Sequence, residues 1–184
     1  MNIGLTQRIF HYNDIAYDCI EHGWYNLLRD HTLFYIPNDI KFDINGLIEN
    51  LDMVIFTGGN HDLKRHTIEV KILTQCYLRN IPILGVCHGA FFLNYMEDGI
   101  NEDIEGHHNT EHSIVLEGKE YTVNSYHTNS IKHLANAFER KAIAQDGSTE
   151  AFRHKSKCIW GLNWHPERMK NPVLPKEIKE KLSI

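Results

Sequence analysis

The sequence predicts an α/β fold with a mostly parallel central sheet flanked by helices, to which the second half adds antiparallel strands. In the first half, short apolar runs alternate with helical patterns, an order that favours parallel strands joined by crossover helices. After about residue 110 the apolar runs become shorter and are separated by turn signals such as QDGS at 145–148. No repeat or linker interrupts the chain, so we expect a single catalytic domain over 1–184.

The first half is predicted to contain four strands and three helices. The strands are expected at 2–5, 33–36, 53–56 and 83–86, and the helices at 14–29, at 67–79 and from about His88. Asp14 is the predicted N-cap of the first helix, whose apolar face contains Cys19 and Trp24. In the second half, strands are expected at 112–116, 119–123, 142–145, 150–154 and 159–163.

Composition limits the function classes. The 184 residues are 42% hydrophobic and 23% charged, which suits a globular domain with a sizeable core. A net charge of −5 without a long basic run argues against a nucleic-acid partner. We find neither a signal-peptide pattern nor an apolar stretch approaching about 18 residues, and we expect a soluble, cytoplasmic protein with no membrane partner. The four cysteines form no CxxC pair, so each is expected to be a free thiol.

One cysteine follows a predicted strand in a pattern typical of nucleophiles. The segment GVCHG at 85–89 has the spacing of a nucleophile elbow, in which a sharp strand-to-helix turn exposes the central residue. A helix that begins near His88 directs its positive end at the sulfur of Cys87, which is expected to favour the thiolate. A buried cysteine with only a packing role fits the same pattern about equally well, and a nearby base decides between the two.

The segment GLNWHPE at 161–167 offers that base. His165 follows a predicted strand and Glu167 is two residues further on, while Pro166 keeps His165 extended, so both side chains are expected on one face. Glu167 would accept a hydrogen bond from one ring nitrogen of His165 while the other nitrogen faces a thiol. Cys87, His165 and Glu167 are therefore predicted to form a catalytic triad.

The segment TGGN at 57–60 ends the neighbouring strand and offers donors for an oxyanion. A pair of glycines lets backbone N–H groups approach a reacting carbonyl closely. We predict that the N–H groups of Gly59 and His88 form the oxyanion hole. The same two glycines are also compatible with a tight turn that has no catalytic role.

Together these segments resemble the class I glutamine amidotransferase-like superfamily, whose fold is flavodoxin-like. The chain most resembles its stand-alone γ-glutamyl hydrolases, peptidase family C26, which include γ-glutamyl-γ-aminobutyrate hydrolases. The resemblance extends over nearly the whole chain. It is carried by IGLTQRI at 3–9, TGGN at 57–60 with Arg65 and Glu69, GVCHG at 85–89 with Asn94, VNSYH at 123–127, DGSTE at 146–150 and WGLNWHPE at 160–167.

The resemblance implies hydrolysis of a small-molecule γ-glutamyl amide without a cofactor. Cys87 is implied as the nucleophile, His165 as the base and Glu167 as the residue that orients it. The products are L-glutamate and an amine, or a phosphoramidate-type nitrogen, released through a γ-glutamyl thioester. The residues implied to bind the substrate are Gly58, Ser125, Tyr126, His127 and Glu150.

Two positions depart from the pattern of glutamine-using relatives. Those relatives commonly carry Gln four residues after the cysteine, where this chain has Phe91. They also carry Gly-Gly-Thr-Leu after the elbow helix, where this chain has MEDGI at 96–100. Both departures argue against glutamine as the main substrate.

Other functions and partners remain open at this point. One alternative is the glutaminase subunit of a two-component amidotransferase that delivers ammonia to a synthase partner. Another is a catalytically silent regulatory relative, against which the complete predicted triad argues. A homodimer is also open. A glutaminase subunit would be nearly idle by itself and stimulated by its synthase, whereas a hydrolase would not need a partner.

A histidine-rich segment raises the question of a metal. His107, His108, Glu111 and His112 have alternating and i,i+4 spacings that can converge on an ion. A solvated polar loop near the active site accounts for the same residues, and it is the interpretation that we adopt. The sequence therefore predicts no metal.

Overall fold

The computed structural model describes residues 1–184 as one large sheet, two small sheets and the helices that cover them. The α-helices are α1 (His22–Leu27), α2 (Ile44–Ile48), α3 (Leu63–Arg79), α4 (His88–Met96) and α5 (Lys176–Leu182). The strands are β1 (Asn2–Thr6), β2 (Arg8–Tyr12), β3 (Ile15–Cys19), β4 (Thr32–Ile36), β5 (Met53–Phe56), β6 (Ile83–Val86), β7 (Ile100–Asp103), β8 (His108–Leu116), β9 (Lys119–Tyr126), β10 (Asn129–His133), β11 (Phe138–Ala144), β12 (Thr149–His154) and β13 (Ile159–Leu162).

The large sheet has nine strands in the order β4-β1-β5-β6-β13-β12-β11-β8-β9. The strands from β4 to β13 in this order are parallel, and those from β13 to β9 pair antiparallel. Every residue of β5, β6 and β13 is buried, as expected for central strands covered on both faces. The predicted fold class, a mostly parallel α/β sheet with added antiparallel strands, is confirmed.

An apolar core covers each face of the large sheet. One core includes Trp24, Trp164 and residues of α5, and the other includes residues of α3 and α4. In the second core, Phe56 at the end of β5 stacks on Phe92 of α4 with 5.4 Å between ring centroids. This packing fixes the carboxyl ends of β5, β6 and β13 side by side, which is the edge where open α/β sheets place their reactive groups.

The predicted helix at 14–29 is wrong, and Asp14 is not an N-cap. Strands β2 and β3 form an antiparallel hairpin, joined by Asn13 and Asp14 with φ angles of 49° and 59°. Two successive positive φ angles define a type I′ turn, which Asn and Asp tolerate better than most residues. The apolar residues that suggested one helix face belong instead to β3 and to the short helix α1, which begins only at His22.

Helix α3 begins before its predicted start at 67 because Asp62 caps it. The Asp62 carboxylate accepts hydrogen bonds from the N–H groups of Lys64 at 2.8 Å and Arg65 at 3.4 Å. The sequence pattern did not indicate α2, α5, β7 or β10, and the last two pair only with each other. None of the helices combines the length and the apolar character that a bilayer crossing requires.

Candidate active site

Cys87 lies at a sharp turn between β6 and α4. Its φ is 49° and its ψ is −107°, a conformation that residues other than glycine rarely adopt and that stores strain. The flanking glycines are required, because a Cβ on Gly89 would lie 2.0 Å from the Phe56 carbonyl oxygen. A Cβ on Gly85 would lie 2.7 Å from the Gly89 backbone. The backbone therefore makes the elbow turn that the GVCHG segment predicts.

His165 lies just beyond the end of β13, which is the neighbour of β6 in the sheet. Its imidazole and Cys87 border the same cleft, and the thiol is near enough to affect the pKa of the ring. Its Nδ1 is 2.6 Å from Oε1 of Glu167, and both side chains are buried. Because an ionised carboxylate only accepts hydrogen bonds, Nδ1 carries a proton and Nε2 is the nitrogen available to the sulfur.

The backbone that holds His165 differs from the prediction. His165 is extended, but a 3₁₀ turn begins at Pro166 and includes Glu167, so the expected extended segment over 165–167 is wrong. Asn124 of β9 fixes His165 from the other side. Its Nδ2 donates to the His165 carbonyl at 2.9 Å, and its Oδ1 accepts from the His165 N–H at 2.8 Å. Asn124 was not among the site residues predicted from the sequence. The only indication of its role in the sequence was that it belongs to the VNSYH segment.

The surroundings of His165 favour its protonated form. Burial by itself disfavours the imidazolium, but the contacts with Cys87 and Glu167 outweigh burial and raise the pKa of His165 to about 9. The ring is therefore a cation at neutral pH, with one proton directed to Glu167 and the other towards the sulfur. Such a ring stabilises a negatively charged sulfur and can protonate a leaving group.

We expect activity to fall as pH rises through about 9, because the acid form of His165 is lost there. In the Glu167→Gln variant the fall should move to lower pH, since the Glu167 carboxylate is one of the contacts that raise the pKa of His165. Measuring kcat/KM against pH for both proteins checks this. A fall at the same or a higher pH in the variant would contradict the assigned contact.

The TGGN loop after β5 borders the same cleft as Cys87. Arg65 donates from Nη1 to the Gly58 carbonyl at 3.4 Å. The C=O and N–H of a trans peptide point in opposite directions, so this contact turns the N–H of Gly59 away from Arg65. Gly59 lines the cleft, with a φ of 137° that favours glycine. The N–H of His88, the first residue of α4, has no intrahelical acceptor.

A buried ion pair supports this loop. Arg65 Nε is 2.9 Å from Glu69 Oε1, with both side chains 0% exposed, and Arg65 Nη2 donates to the Thr57 carbonyl at 2.6 Å. The other Glu69 oxygen is 3.1 Å from Nε2 of His88, while Oε1 also accepts from the Thr6 hydroxyl at 2.9 Å. Burial alone would raise the pKa of Glu69, but His88 and Arg65 hold it below its usual value. The network therefore connects the TGGN loop to the elbow helix.

Gly58 lies directly against the imidazole of His165. A Cβ at Gly58 would lie 2.3 Å from Cε1 of that ring, so any side chain here would displace it. The structure thus gives this glycine a positioning contact with His165, whereas the resemblance implies a contact with substrate.

A cleft extends in two lobes from Cys87, and both lobes include Gly59, Asn60 and Tyr126. The helix lobe, of about 740 Å³, lies over α4 and also contains Phe91. The hairpin lobe, of about 680 Å³, lies beside β2 and contains His165. Other side chains that line the helix lobe include His61, His66, His88, Tyr95, Asn101 and His127. Those that define the hairpin lobe are Arg8, Ile9, Phe10, His11, His108 and Arg168.

The residues predicted to bind substrate are divided between the cleft and the interior. Tyr126 lines both lobes and His127 lines the helix lobe. Ser125 and Glu150 are 0% exposed and line neither lobe. The Ser125 hydroxyl donates to the His107 carbonyl, and the Glu150 carboxylate lies among histidine rings behind the cleft wall. The structure therefore directs both side chains away from the cleft.

The histidine-rich segment is not a solvated loop. His108, Glu111 and His112 belong to strand β8, and His107 immediately precedes it. His107 is buried and His112 is half-buried, whereas His108 and Glu111 are exposed. The segment therefore sends His107 and His112 to the interior and the other two side chains to the surface.

All four cysteines are free, but their surroundings differ. Burial raises the pKa of Cys76 to about 12, and burial with the nearby Glu177 carboxylate raises that of Cys158 to about 11. We expect an electrophile that mimics a γ-glutamyl group to add once, at Cys87, because the thiolate is the reactive species. Peptide mapping after limited labelling checks this, and label spread evenly over the four cysteines would contradict it.

A mostly parallel sheet of this order, with a cysteine elbow after β6 and a histidine after β13, defines a class I glutamine amidotransferase-like protein. A family model described as Peptidase C26 matches residues 5–167, and the chain belongs to that family. It is accordingly a hydrolase, as the sequence predicts.

Relatives and solved structures agree with this assignment. The chain is 27% identical over 183 residues to a gamma-glutamyl-CDP-amidate hydrolase from Campylobacter jejuni, covering 91% of this chain and 90% of that protein. It is 31% identical over 143 residues to one subunit of the glutamine-hydrolyzing GMP synthase from Methanosarcina acetivorans, covering 72% of each. A crystal structure of a glutamine amidotransferase from Thermotoga maritima superposes with a TM-score of 0.68 at 13% identity, covering 90% of this chain and 76% of that one.

Proposed function

We propose that this protein hydrolyses a γ-glutamyl amide whose leaving nitrogen is attached to a phosphoryl group. The observation that carries the proposal is the charge of the hairpin lobe. Two arginine and two histidine side chains line it, and no carboxylate does, although the whole chain has a net charge of −5. They are Arg8, His11, His108 and Arg168, besides His165 itself.

The hairpin lobe is the side of the cleft that receives the leaving group. His165 lines this lobe and is absent from the helix lobe, and the leaving nitrogen must be within reach of the acid that protonates it. Arg168 is neutralised by Glu21, whose carboxylate accepts from its Nε at 2.7 Å and its Nη2 at 2.8 Å. Arg8 makes no ion pair, so it is the cation available to a phosphoryl oxygen.

Aromatic side chains in the same lobe suit a nucleotide on the leaving group. Phe10, 55% exposed, and Tyr126 lie in its wall, and such rings can stack on a base. The Campylobacter jejuni relative, which matches 91% of this chain, is named for a γ-glutamyl amide of this kind. Its name supports a cytidine diphosphate-linked nitrogen as the first leaving group to test.

Acylation follows from the proposed roles of five residues. The sulfur of Cys87 attacks the γ-carbonyl carbon, and the N–H groups of Gly59 and His88 stabilise the oxygen that becomes negative. His165, oriented by Glu167, protonates the leaving nitrogen as the C–N bond breaks. The amine-side product leaves, and a γ-glutamyl thioester remains on the sulfur.

Deacylation uses the same residues with water as the nucleophile. His165, now neutral, accepts a proton from water as its oxygen attacks the thioester carbonyl, and the C–S bond breaks. L-glutamate is released, and the imidazolium beside the sulfur is restored. His165 gives one proton to the leaving nitrogen and recovers one from water, while the second proton of that water stays on the product carboxyl and passes to solvent, so the chemistry requires no further acid or base from the protein.

The test compares kcat/KM for γ-glutamyl-CDP-amidate, γ-glutamyl methylamide and glutamine, with Cys87→Ala as the blank. We expect the phosphoryl substrate to be the best. Arg8→Gln should lower its kcat/KM by about 10–100-fold, the equivalent of one charge-assisted hydrogen bond. The same variant should change the value for the uncharged methylamide by less than about threefold.

Arg140→Gln is the matched control, because Arg140 is exposed on β11 and makes no ion pair. It removes the same charge at a distance from the cleft and should leave all three substrates unaffected. Equal losses for the phosphoryl substrate and the methylamide in Arg8→Gln would contradict a phosphate contact. Glutamine as the best substrate would contradict the proposed leaving group.

The second candidate is a glutaminase subunit that delivers ammonia to a synthase partner. The 31% identity to the GMP synthase subunit from Methanosarcina acetivorans favours it. Phe91 argues against it, because this ring occupies the helix lobe where the glutamine-using relatives carry a polar side chain. If glutaminase activity is low for the isolated protein and rises strongly when a synthase encoded nearby is added, the glutaminase subunit is the correct assignment.

A further inference from the structure

Behind the cleft wall, three histidine rings surround the buried carboxylate of Glu150. Nδ1 of His107 is 3.6 Å from Oε1 of Glu150. Nε2 of His112 and Nε2 of His127 are 3.3 Å and 3.6 Å from Oε2. These three nitrogens and Oε2 are buried and have no hydrogen-bond partner. The ligand atoms of His107, His127 and Glu150 all lie within 4.8 Å of one another.

The hydrogen bonds that His107 and His127 make away from Glu150 determine which nitrogen of each ring carries no proton. Nδ1 of His127 is 2.7 Å from the Asn129 carbonyl, so Nδ1 carries the proton and donates it. Nε2 of His107 is 2.8 Å from the Asp146 carboxylate and donates in the same way. In their neutral forms both rings therefore present a lone pair to the Glu150 carboxylate. Lone pairs facing a carboxylate repel it unless a cation lies between them.

We propose that His107, His127 and Glu150 bind a divalent transition-metal ion, most suitably Zn²⁺, with His112 or water as the fourth ligand. Zn²⁺ takes four nitrogen or oxygen ligands at about 2.0–2.2 Å in a tetrahedron, which separates ligand atoms by about 3.3–3.6 Å. The nitrogens of His112 and His127 lie at that spacing from Oε2 of Glu150, at 3.3 Å and 3.6 Å, and the nitrogen of His107 lies at 3.6 Å from Oε1.

The hydrogen bonds that these two rings make away from Glu150 are also typical of histidines that bind a metal ion. Metal-bound histidines commonly donate their second ring N–H to a carboxylate or a backbone carbonyl, as His107 does to Asp146 and His127 to Asn129. The Glu150 carboxylate also accepts from the Ser148 hydroxyl at 3.3 Å.

The ion would join three parts of the chain. His107 precedes β8, His127 follows β9, Glu150 lies in β12, and Asp146 lies in the turn before β12. Tyr126, which lines both lobes of the cleft, immediately precedes His127. The ion would therefore stabilise the wall of the cleft, at a site separate from the proposed reaction.

The test measures zinc content in a Cys87→Ala background, so that the elbow thiol cannot bind the metal. Tag-free protein is incubated with Zn²⁺, freed of unbound ion and analysed by inductively coupled plasma mass spectrometry. We expect one zinc per chain, lost in His107→Asn and in Glu150→Gln. His133→Asn is the matched control, because His133 is exposed on β10, and it should retain the full equivalent. Asp146→Asn should weaken binding by about 10–100-fold.

A second measurement tests the proposal even if the His107 and Glu150 variants do not fold. The Cys87→Ala protein with the cluster intact should bind Co²⁺ with a tetrahedral visible spectrum, and Zn²⁺ should displace the Co²⁺. If the folded protein binds neither ion, the proposal is overturned. The three rings and Glu150 would then be held together by shared protons. A folded His107→Asn variant that keeps its zinc would overturn it too, by placing the ion elsewhere.

Discussion

Replacing His165 by alanine is expected to lower kcat by about 10⁶-fold, and replacing Glu167 by glutamine by about 10⁴-fold. Alanine removes both the acid that protonates the leaving nitrogen and the cation beside the sulfur. Glutamine keeps a group within 2.6 Å of Nδ1 but loses the charge that stabilises the imidazolium. Initial rates with the best γ-glutamyl substrate, measured at equal enzyme concentrations, give the two values.

The order of the two losses is the critical comparison. His133→Ala serves as the control for the loss of a histidine, because His133 is exposed on β10, and it should retain full activity. Far-ultraviolet circular dichroism establishes that each variant is folded. A larger loss in Glu167→Gln than in His165→Ala would contradict the assigned roles, because a residue that acts through His165 cannot matter more than His165 itself.

Replacing Arg65 by methionine is expected to lower the free energy of unfolding by about 3–5 kcal/mol and to lower kcat by about 10²-fold or more. The stability loss follows because Glu69 keeps a fully buried charge without its main counter-charge. The rate loss follows because the hydrogen bonds from Arg65 to the carbonyls of Thr57 and Gly58 no longer orient the Gly59 N–H. Urea unfolding and steady-state kinetics measure the two effects separately.

Lys64→Met is the matched control, because it removes a positive charge one position earlier on the exposed side of α3. Its effect on stability should be within about 0.5 kcal/mol. The double variant Arg65→Met, Glu69→Leu should recover part of the lost stability, since no buried charge remains, but none of the lost rate. Full recovery of the rate would show that Arg65 has no role in positioning the loop.

The central sheet could be predicted from the sequence because its strands have a strong local signal. MVIF at 53–56 and ILGV at 83–86 are short apolar runs bounded by polar or turn residues, and the structure buries every residue in both. The strands of the second half were located with shifted ends, and β8, β9 and β11 are longer than predicted because pairing extends them beyond the apolar run. In β9, for example, pairing continues to Tyr126.

The β2-β3 hairpin could not be separated from a helix by periodicity alone. Ile15 with Cys19 and Ile20 with Trp24 have the i,i+4 spacing of a helix, and the decisive signal was the Asn13-Asp14 pair, which suits a type I′ turn. The correction matters for function, because this hairpin brings Arg8 and Phe10 to the cleft. A helix at 14–29 would have given no reason to expect a cation there.

In the candidate site, motifs identified the segments that the fold brings together, but not the contacts between them. GVCHG and GLNWHPE indicated that Cys87 and His165 each follow a strand, and the structure shows that these two strands are neighbours. The contacts of Asn124 with His165 depend on a register that no local pattern encodes. The cluster around Glu150 likewise draws on segments that are far apart in the sequence, and so the spacing within 107–112 could not decide between a metal site and the polar loop that we predicted.

The most direct test of the proposed mechanism is the mass of the protein during turnover. If a sample is acid-quenched within the first turnovers of a γ-glutamyl substrate, the intact protein should gain the mass of one γ-glutamyl group, and peptide mapping should place that group on Cys87. The Cys87→Ala protein should gain none and release no glutamate. Glutamate release by Cys87→Ala, or an adduct on any other residue, would contradict a thioester at the elbow cysteine.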